Sequence, residues 1–391
     1  MCECDKMHPT AAQSISIKRN IIKKMCNEHV ISGTIFYGDE PRLIEGYLCV
    51  KDGIITEVGT DSAVDATLDG LVTPCFINAH THIGDSIIKD PPLSDLDSLV
   101  RPPNGLKHRV LGESLAFDLK DAMHRTLNDM IRTGTCAFCD FREGGIEGAS
   151  MLADALTTPT YATGGLKGLI MGRPQHPERP GKDEFDALVE VCNGIGMSGV
   201  NDVPFEVLQI ASRVARRAGK LFAIHGGEKD ISDISKSIEL EPDFIVHMTH
   251  ASEAHIKQLV DADIPAVVCP RSNFVTRVGS PARPPIARML EMGVTVAAGT
   301  DNVMLNSANM FSEMEFLSKV YGLEDRQVFN ICTLNGARVL GLAEQLGSIQ
   351  EGKQAKIMVL DKRSSNLSNS HNMLASFVRR GRPDDIKTII N

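Results

Sequence analysis

From about His29 the chain alternates apolar and polar positions over short stretches. "HVISGTIFYG" and "EGYLCVKDGIITEVG" show the period of two that half-buried strands require, and Asp52-Gly53 between two such runs predicts a tight hairpin turn. Near the other end "GSIQEGKQAKIMVLD", Gly347 to Asp361, is again strand-like. Two β segments flanking a long middle predict one small β-sandwich assembled from both chain ends, residues 29–74 with 345–391. Residues 1–28 are polar and weakly patterned. They are expected to form an extension outside the fold, with Met25 as an alternative start.

The middle, residues 75–344, has a different rhythm. Apolar runs end near His82, Asp140, Arg173, Asp202, His225, His247, Cys269 and Asp301, and helical patterns fill several of the gaps. "ESLAFDLKDAMHRTLNDMIRTG" sets Leu119, Met123, Leu127, Met130 and Ile131 at helical spacing with Gly134 as a stop, and "FEVLQIASRVARRAG" is closed by Gly219. His225, His247 and Cys269 fall at equal intervals, each close to one strand–helix unit. Strand and helix repeated about eight times predict an α/β fold, a (β/α)8 TIM barrel beside the small sandwich. The long stretch between His82 and Glu113 is expected to fold over the barrel mouth.

Composition narrows the partners. With 41 Lys and Arg against 50 Asp and Glu, the formal charge is −9, and no basic stripe interleaves with aromatics, so nucleic acid is not expected. No apolar run approaches the roughly 18–20 residues of a spanning helix, and no signal-peptide core opens the chain. The expectation is a soluble, cytoplasmic protein with no membrane partner; a homo-oligomer is compatible with the sequence. Ten irregularly spaced cysteines suggest buried thiols in a reducing compartment. Cys136 and Cys139 form a CxxC, but it lies inside a strand-like run and no second CxxC exists, and Cys2 and Cys4 are no better placed.

Candidate chemistry gathers at the strand ends. In "TPCFINAHTHIGDS" His80 and His82 stand at i and i+2 of a predicted strand, so both side chains leave it on the same side, their roots roughly 6–7 Å apart. The carboxyl ends of a parallel barrel share one mouth. His225 from "LFAIHGGE", His247 from "DFIVHMTH" and Asp301 from "TVAAGTDN" would therefore meet that pair. Four imidazoles and a carboxylate suit a divalent ion that keeps a position for water and renders that water acidic near neutral pH. Glu228 follows His225 after two glycines that let the backbone turn sharply, so its carboxylate could reach over the ion. His247 and His250 have opposite strand parity and cannot both point inward; His247 directly ends the apolar run. Other polar residues of the mouth are Lys107, His108, Arg142, Glu143, Arg173, Arg271 and Asn273. Arginines there would suit a carboxylate or phosphate on a small-molecule substrate, or else serve as partners of Asp140 and Asp202.

"TPCFINAHTH", "AIHGGE", "IVHMTHAS", "CPRSN" and "AAGTDN", in this order, resemble the metal-dependent amidohydrolase superfamily, in its branch of cytosine, guanine and S-adenosylhomocysteine deaminases and chlorohydrolases. The resemblance runs from about residue 30 and extends to the terminal β pieces. It implies His80, His82, His225 and Asp301 as metal ligands, His247 as a group that contacts or helps deprotonate the bound water, and Glu228 as proton shuttle; the expected mechanism makes Asp301 the base, with His247 assisting. Members with two metals carry a carboxylated lysine where "GIGMSGVNDVP" has none, so one ion is expected, Zn2+ first, with Fe2+ or Mn2+ as alternatives. Arg142, Arg173, Arg271 and Asn273 are expected to hold substrate. The implied activity is deamination of a nucleobase-, nucleoside- or pterin-like heterocycle. Alternatives are hydrolysis of a cyclic amide or other C–N bond as in imidazolonepropionase, a chlorohydrolase-like displacement, and a non-catalytic scaffold on the same fold.

Overall fold

The structure, a computed structural model, describes residues 29–60, 66–92, 94–157 and 165–390. The expected extension over residues 1–28, with Cys2, Cys4 and Met25, lies outside them. Four strands come first, β1 (His29–Tyr37), β2 (Arg42–Lys51), β3 (Ile54–Gly59) and β4 (Leu68–Pro74). Nine follow: β5 (Phe76–His82), β6 (Thr135–Arg142), β7 (Lys167–Gly172), β8 (Gly194–Met197), β9 (Leu221–Gly226), β10 (Phe244–His247), β11 (Ala266–Val268), β12 (Val296–Ala298) and β13 (Asp301–Asn302). Last come β14 (Ile357–Leu360) and β15 (Ile386–Ile390).

Strands from both ends of the chain build one six-stranded sheet in the order β15-β14-β4-β1-β2-β3. The hairpin between β2 and β3 turns at Asp52 (φ 52°) and Gly53 (φ 72°), the left-handed pair that such a turn demands. Alternation divides this sheet's work. Ile35, Val72, Ile357 and Val359 join a cluster of its own, while their neighbours Phe36, Leu71, Met358 and Leu360 enter the large core.

The other nine strands form a parallel sheet that curls, the arrangement of a TIM-like barrel, in the order β12-β11-β10-β9-β8-β7-β6-β5-β13. Its first and last members are neighbours in sequence, separated only by Gly299 and Thr300. There Asn78 bridges the gap, its Oδ1 accepting from Thr300 N at 3.0 Å and its Nδ2 donating to Thr300 Oγ1 at 2.8 Å. A side chain at Gly299 would meet His80 backbone and Cβ atoms at 2.6–2.7 Å, so only glycine permits this approach. β5 and β6 are buried along their whole length, as strands covered on both faces should be.

The helix patterns also fold as read. Ala116–Arg132 buries Leu119, Met123, Leu127 and Met130, and Phe205–Arg217 stops before Gly219 (φ 64°). One strand end differs from expectation: β8 stops at Met197, and Asp202 lies beyond it in the turn before the helix. No helix among the described residues is long and apolar enough to cross a membrane.

Candidate active site

The strand ends deliver their polar side chains to one place. The ring centroids of His80 and His82 lie 4.9 Å apart, those of His80 and His225 5.0 Å, and those of His225 and His247 5.2 Å. Asp301 points its Oδ1 at this group, 3.3 Å from His80 Nε2 and 3.6 Å from His82 Nε2, while its Oδ2 accepts from Ser272 Oγ at 2.6 Å. All five residues are buried. Aiming them takes unusual backbone: His247 (φ 79°), Met248 (φ 51°) and Asp301 (φ 60°) adopt the left-handed region that side chains disfavour. Such strain collects where a scaffold holds functional groups.

Whether a cation fits can be read from the outer nitrogens. His225 Nδ1 lies 2.9 Å from Met197 O, and His82 Nδ1 lies 3.0 Å from Phe141 O. Carbonyls only accept, so both Nδ1 atoms carry hydrogen and both Nε2 atoms present bare lone pairs. His247 Nδ1 is likewise 3.1 Å from Asn273 Oδ1, and Asn273 Nδ2 donates to Thr249 Oγ1 at 2.7 Å, which fixes the amide so that its oxygen faces the imidazole. His225 Nε2 and His80 Nε2 face each other at 3.3 Å. Burial lowers the pKa of His80, takes that of His82 down to about 3 with help from the Lys107 charge, and holds that of His225 well below the usual imidazole range. Burial works against an ionised Asp301, yet the His80 hydrogen bond and the imidazoles around it keep its carboxyl well below the ordinary value. Neutral, bare nitrogens around an ionised carboxylate form a donor set for a divalent cation, and the sets His80–His82–Asp301 and His80–His225–His247 each fall within 4.8 Å.

Glu228 sits beside them, its Oε2 3.5 Å from His247 Nε2. The turn that brings it there uses Gly227 at φ 67°. Burial raises its carboxyl to about 7, so it holds or yields a proton near neutrality. A cavity of about 250 Å³ opens onto this group, lined among others by His82, Lys107, Arg173, Glu228 and Asp301. The segment after His82 contributes Leu96, Asp97 and Val100 to its wall.

The four residues expected to hold substrate separate here. Arg173 lines the cavity; Arg142, Arg271 and Asn273 do not. The protein occupies their polar atoms instead. Arg142 packs beside Gly84, donates to Gly148 O at 3.2 Å and pairs with Glu143 at 3.4 Å. Arg271 pairs with Glu313 at 2.7 Å and donates to Ser307 O at 2.8 Å. Asn273 orients His247. Glu143 is a buried hub, 2.6 Å from Lys107 Nζ and 2.9 Å from His82 Nδ1. Asp85 and Ser272 escaped the sequence reading. Ser272, two residues past the proline that opens the helix Pro270–Val275, could have been suspected; Asp85, in the "HIGDS" turn, gives no signal of its own. Cys136 and Cys139 are buried and belong to none of the candidate metal groups.

Residues 71–390 match the family model described as the amidohydrolase family. An uncharacterized protein of Methanocaldococcus jannaschii is 35% identical, the match covering 91% of this chain and 96% of that protein. A 5-methylthioadenosine/S-adenosylhomocysteine deaminase of Thermoanaerobacter pseudethanolicus is 25% identical over 86% of this chain and 84% of its own length. Among solved structures, an adenosine deaminase from Xanthomonas campestris with bound zinc superposes with a TM-score of 0.77 at 19% identity, covering 92% of this chain and 90% of that one.

Proposed function

The chain belongs to the amidohydrolase family, metal-dependent hydrolases of C–N bonds, and on that premise we propose that it deaminates an aminated heterocycle of nucleobase, nucleoside or pterin type. In this reading His80, His82, His225 and Asp301 hold one divalent ion, Zn2+ by preference, and Glu228, His247 and Asp301 move the protons. The barrel over residues 75–344 carries the chemistry, beside the single six-stranded sheet that 29–74 and 345–391 build where a sandwich was expected. The observation that carries the proposal is the anchoring of His82 and His225 through Nδ1 to carbonyl oxygens, which leaves bare Nε2 atoms in a buried pocket, that of His82 3.6 Å from Asp301 Oδ1 and that of His225 3.3 Å from His80 Nε2.

When bound, the ion would acidify a water so that hydroxide is supplied near neutral pH. The side chains do the rest. Asp301, ionised at Oδ1, takes the proton of the attacking water. Glu228 delivers a proton to the ring nitrogen next to the carbon under attack, and His247 Nε2, 3.5 Å away, orients that carboxyl. The new C–O bond forms first; the C–N bond then breaks, the amino group departing as ammonia with the proton held by Asp301, while the hydroxyl proton released as the carbonyl forms restores the acid form of Glu228.

The test is to load the full chain with Zn2+ and screen aminopurines, aminopyrimidines, pterins and adenosyl compounds for ammonia release. Release confined to one class names the substrate. With a chlorotriazine and a cyclic amide included in the screen, chloride release, or ring opening without ammonia, replaces the deaminase reading by the chlorohydrolase or cyclic-amide one.

A further inference from the structure

A second set of donors overlaps the first. His247, Cys269 and Asp301 each offer one ligand atom, all within 4.8 Å of one another. We propose that these three form a second cation site for a soft, thiophilic ion such as Cd2+ or surplus Zn2+, sharing Asp301 with the resident ion and inhibiting the enzyme when filled. The proposal rests on the reading of His80, His82, His225 and Asp301 as the resident ion's ligands.

Three features support it. Asp301 presents its two oxygens to different partners, Oδ1 to His80 and His82, Oδ2 to Ser272, on the same segment as Cys269. A carboxylate so placed can bridge two ions, which in paired sites lie about 3.5–4 Å apart. Next, Cys269 directly follows β11, heads the helix that carries Ser272, and is fully buried within 4.8 Å of Asp301 and His247 ligand atoms. Finally, the His247 nitrogen that faces the cavity is its Nε2, because Nδ1 is committed to Asn273, and Glu228 Oε2 lies 3.5 Å from it as a further oxygen donor. His247 and Asp301 line the cavity, which gives the ion a way in.

The resident set offers only nitrogen and oxygen; the second adds sulfur. Sulfur favours Cd2+ and Zn2+ over hard ions such as Mg2+ or Ca2+, so the two sites differ in what they accept. Binding replaces the Cys269 S–H bond by a metal–sulfur bond and releases one proton to solvent, with no change in oxidation state. Occupation removes His247 Nε2 from Glu228 and so stops the proton relay.

The zinc-loaded full chain is titrated with Cd2+, bound metals are counted after gel filtration, and ultraviolet absorption is followed for the sulfur-to-cadmium charge-transfer band. The reading is the difference between the wild type and Cys269→Ser, which subtracts cadmium held by other thiols. Expected is one additional ion per wild-type chain, with a charge-transfer band, retained zinc and ammonia release falling in proportion to the second occupancy. Cys269→Ser should keep its zinc and its thermal midpoint and lose both the extra ion and the extra band. No difference between the two proteins overturns the proposal, and so does a band that grows only as zinc is displaced, since the thiol would then belong to the resident site. A chain that holds no zinc yet shows the Cys269-dependent band overturns the resident-site reading instead and leaves the cadmium site standing.

Discussion

β5 carries a cluster of rings at each end, and the two clusters obey opposite rules. At its start Phe76 meets Phe311 edge-on at 4.8 Å and stacks on Phe377 at 6.1 Å; Phe377 in turn meets Phe36 of the six-stranded sheet at 5.7 Å. At its end His80 and His82 meet His225 at 5.0 and 5.5 Å. Spacing and burial are alike. The floor rings carry no polar atoms, so their burial stabilises the fold and joins the sheet to the barrel. The mouth rings carry nitrogens whose burial costs free energy unless something charged is bound there. Burial at the floor therefore reports stability, and burial at the mouth reports function.

Substitutions at the two ends should separate these effects. The largest belongs to the mouth. Glu228→Gln keeps the shape and removes the titrating proton, so ammonia release should fall by about 10²- to 10⁴-fold with an unchanged melting midpoint; unaltered turnover would remove Glu228 from the mechanism. The floor gives the converse. Phe377→Ala, at a fully buried ring that touches both layers, should cost about 3–5 kcal/mol in denaturant unfolding while zinc bound per folded molecule stays the same. If zinc content fell with it, the two ends would be coupled and the contrast would fail.

Asp140, on β6 opposite Thr81 at the mouth end, sharpens the comparison through pH. It is fully buried, accepts from Thr81 Oγ1 at 2.9 Å and from Ile83 N, and burial raises its carboxyl to about 6 despite the nearby Arg142 charge. The folded chain thus keeps a proton that the unfolded chain, with an ordinary aspartate near 3.8, has already released. The sign follows: this group's contribution is present at low pH and is lost as pH rises from about 4 through about 6, by up to ~3 kcal/mol. Asp140→Asn retains the acceptor oxygen and cannot ionise, so its stability should decline less than that of the wild type across that window. Parallel curves for the two proteins would show that Asp140 ionises freely in the fold.

The same contrast explains what the sequence disclosed. Strand-end residues were legible because parallel β structure turns local spacing into position: His80 and His82 by parity, His225 and His247 by ending apolar runs. The two helices with clear apolar stripes and glycine stops were legible for the same reason. Arg142 and Arg271 stayed open between two roles because a guanidinium at a strand end can turn either to the cavity or to a buried carboxylate, and the partners beside them, Glu143 and Glu313, act through side-chain geometry that no spacing encodes. Asp85 was invisible because its role depends on Met304 N, which donates to it at 2.9 Å across a long sequence separation. Asp202 was misplaced because an apolar run continued past the last ladder bond of β8 into a turn.

Asn273 supplies the finest test, since sequence and structure give it different roles. A substrate contact would make Asn273→Ala raise KM with kcat unchanged; a residue that orients His247 would lower kcat and leave KM nearly constant. The geometry favours the second outcome. Asn273 does not line the cavity, its Oδ1 is 3.1 Å from His247 Nδ1, and its amide is held by Thr249. Losing one such hydrogen bond is worth about 1–1.5 kcal/mol, so kcat should fall roughly tenfold. Thr249→Val leaves the asparagine in place and only frees its amide to turn, so it should shift kcat in the same direction by a smaller factor. A rise in KM in either variant would return Asn273 to the substrate and leave His247 to be positioned by its strained backbone alone.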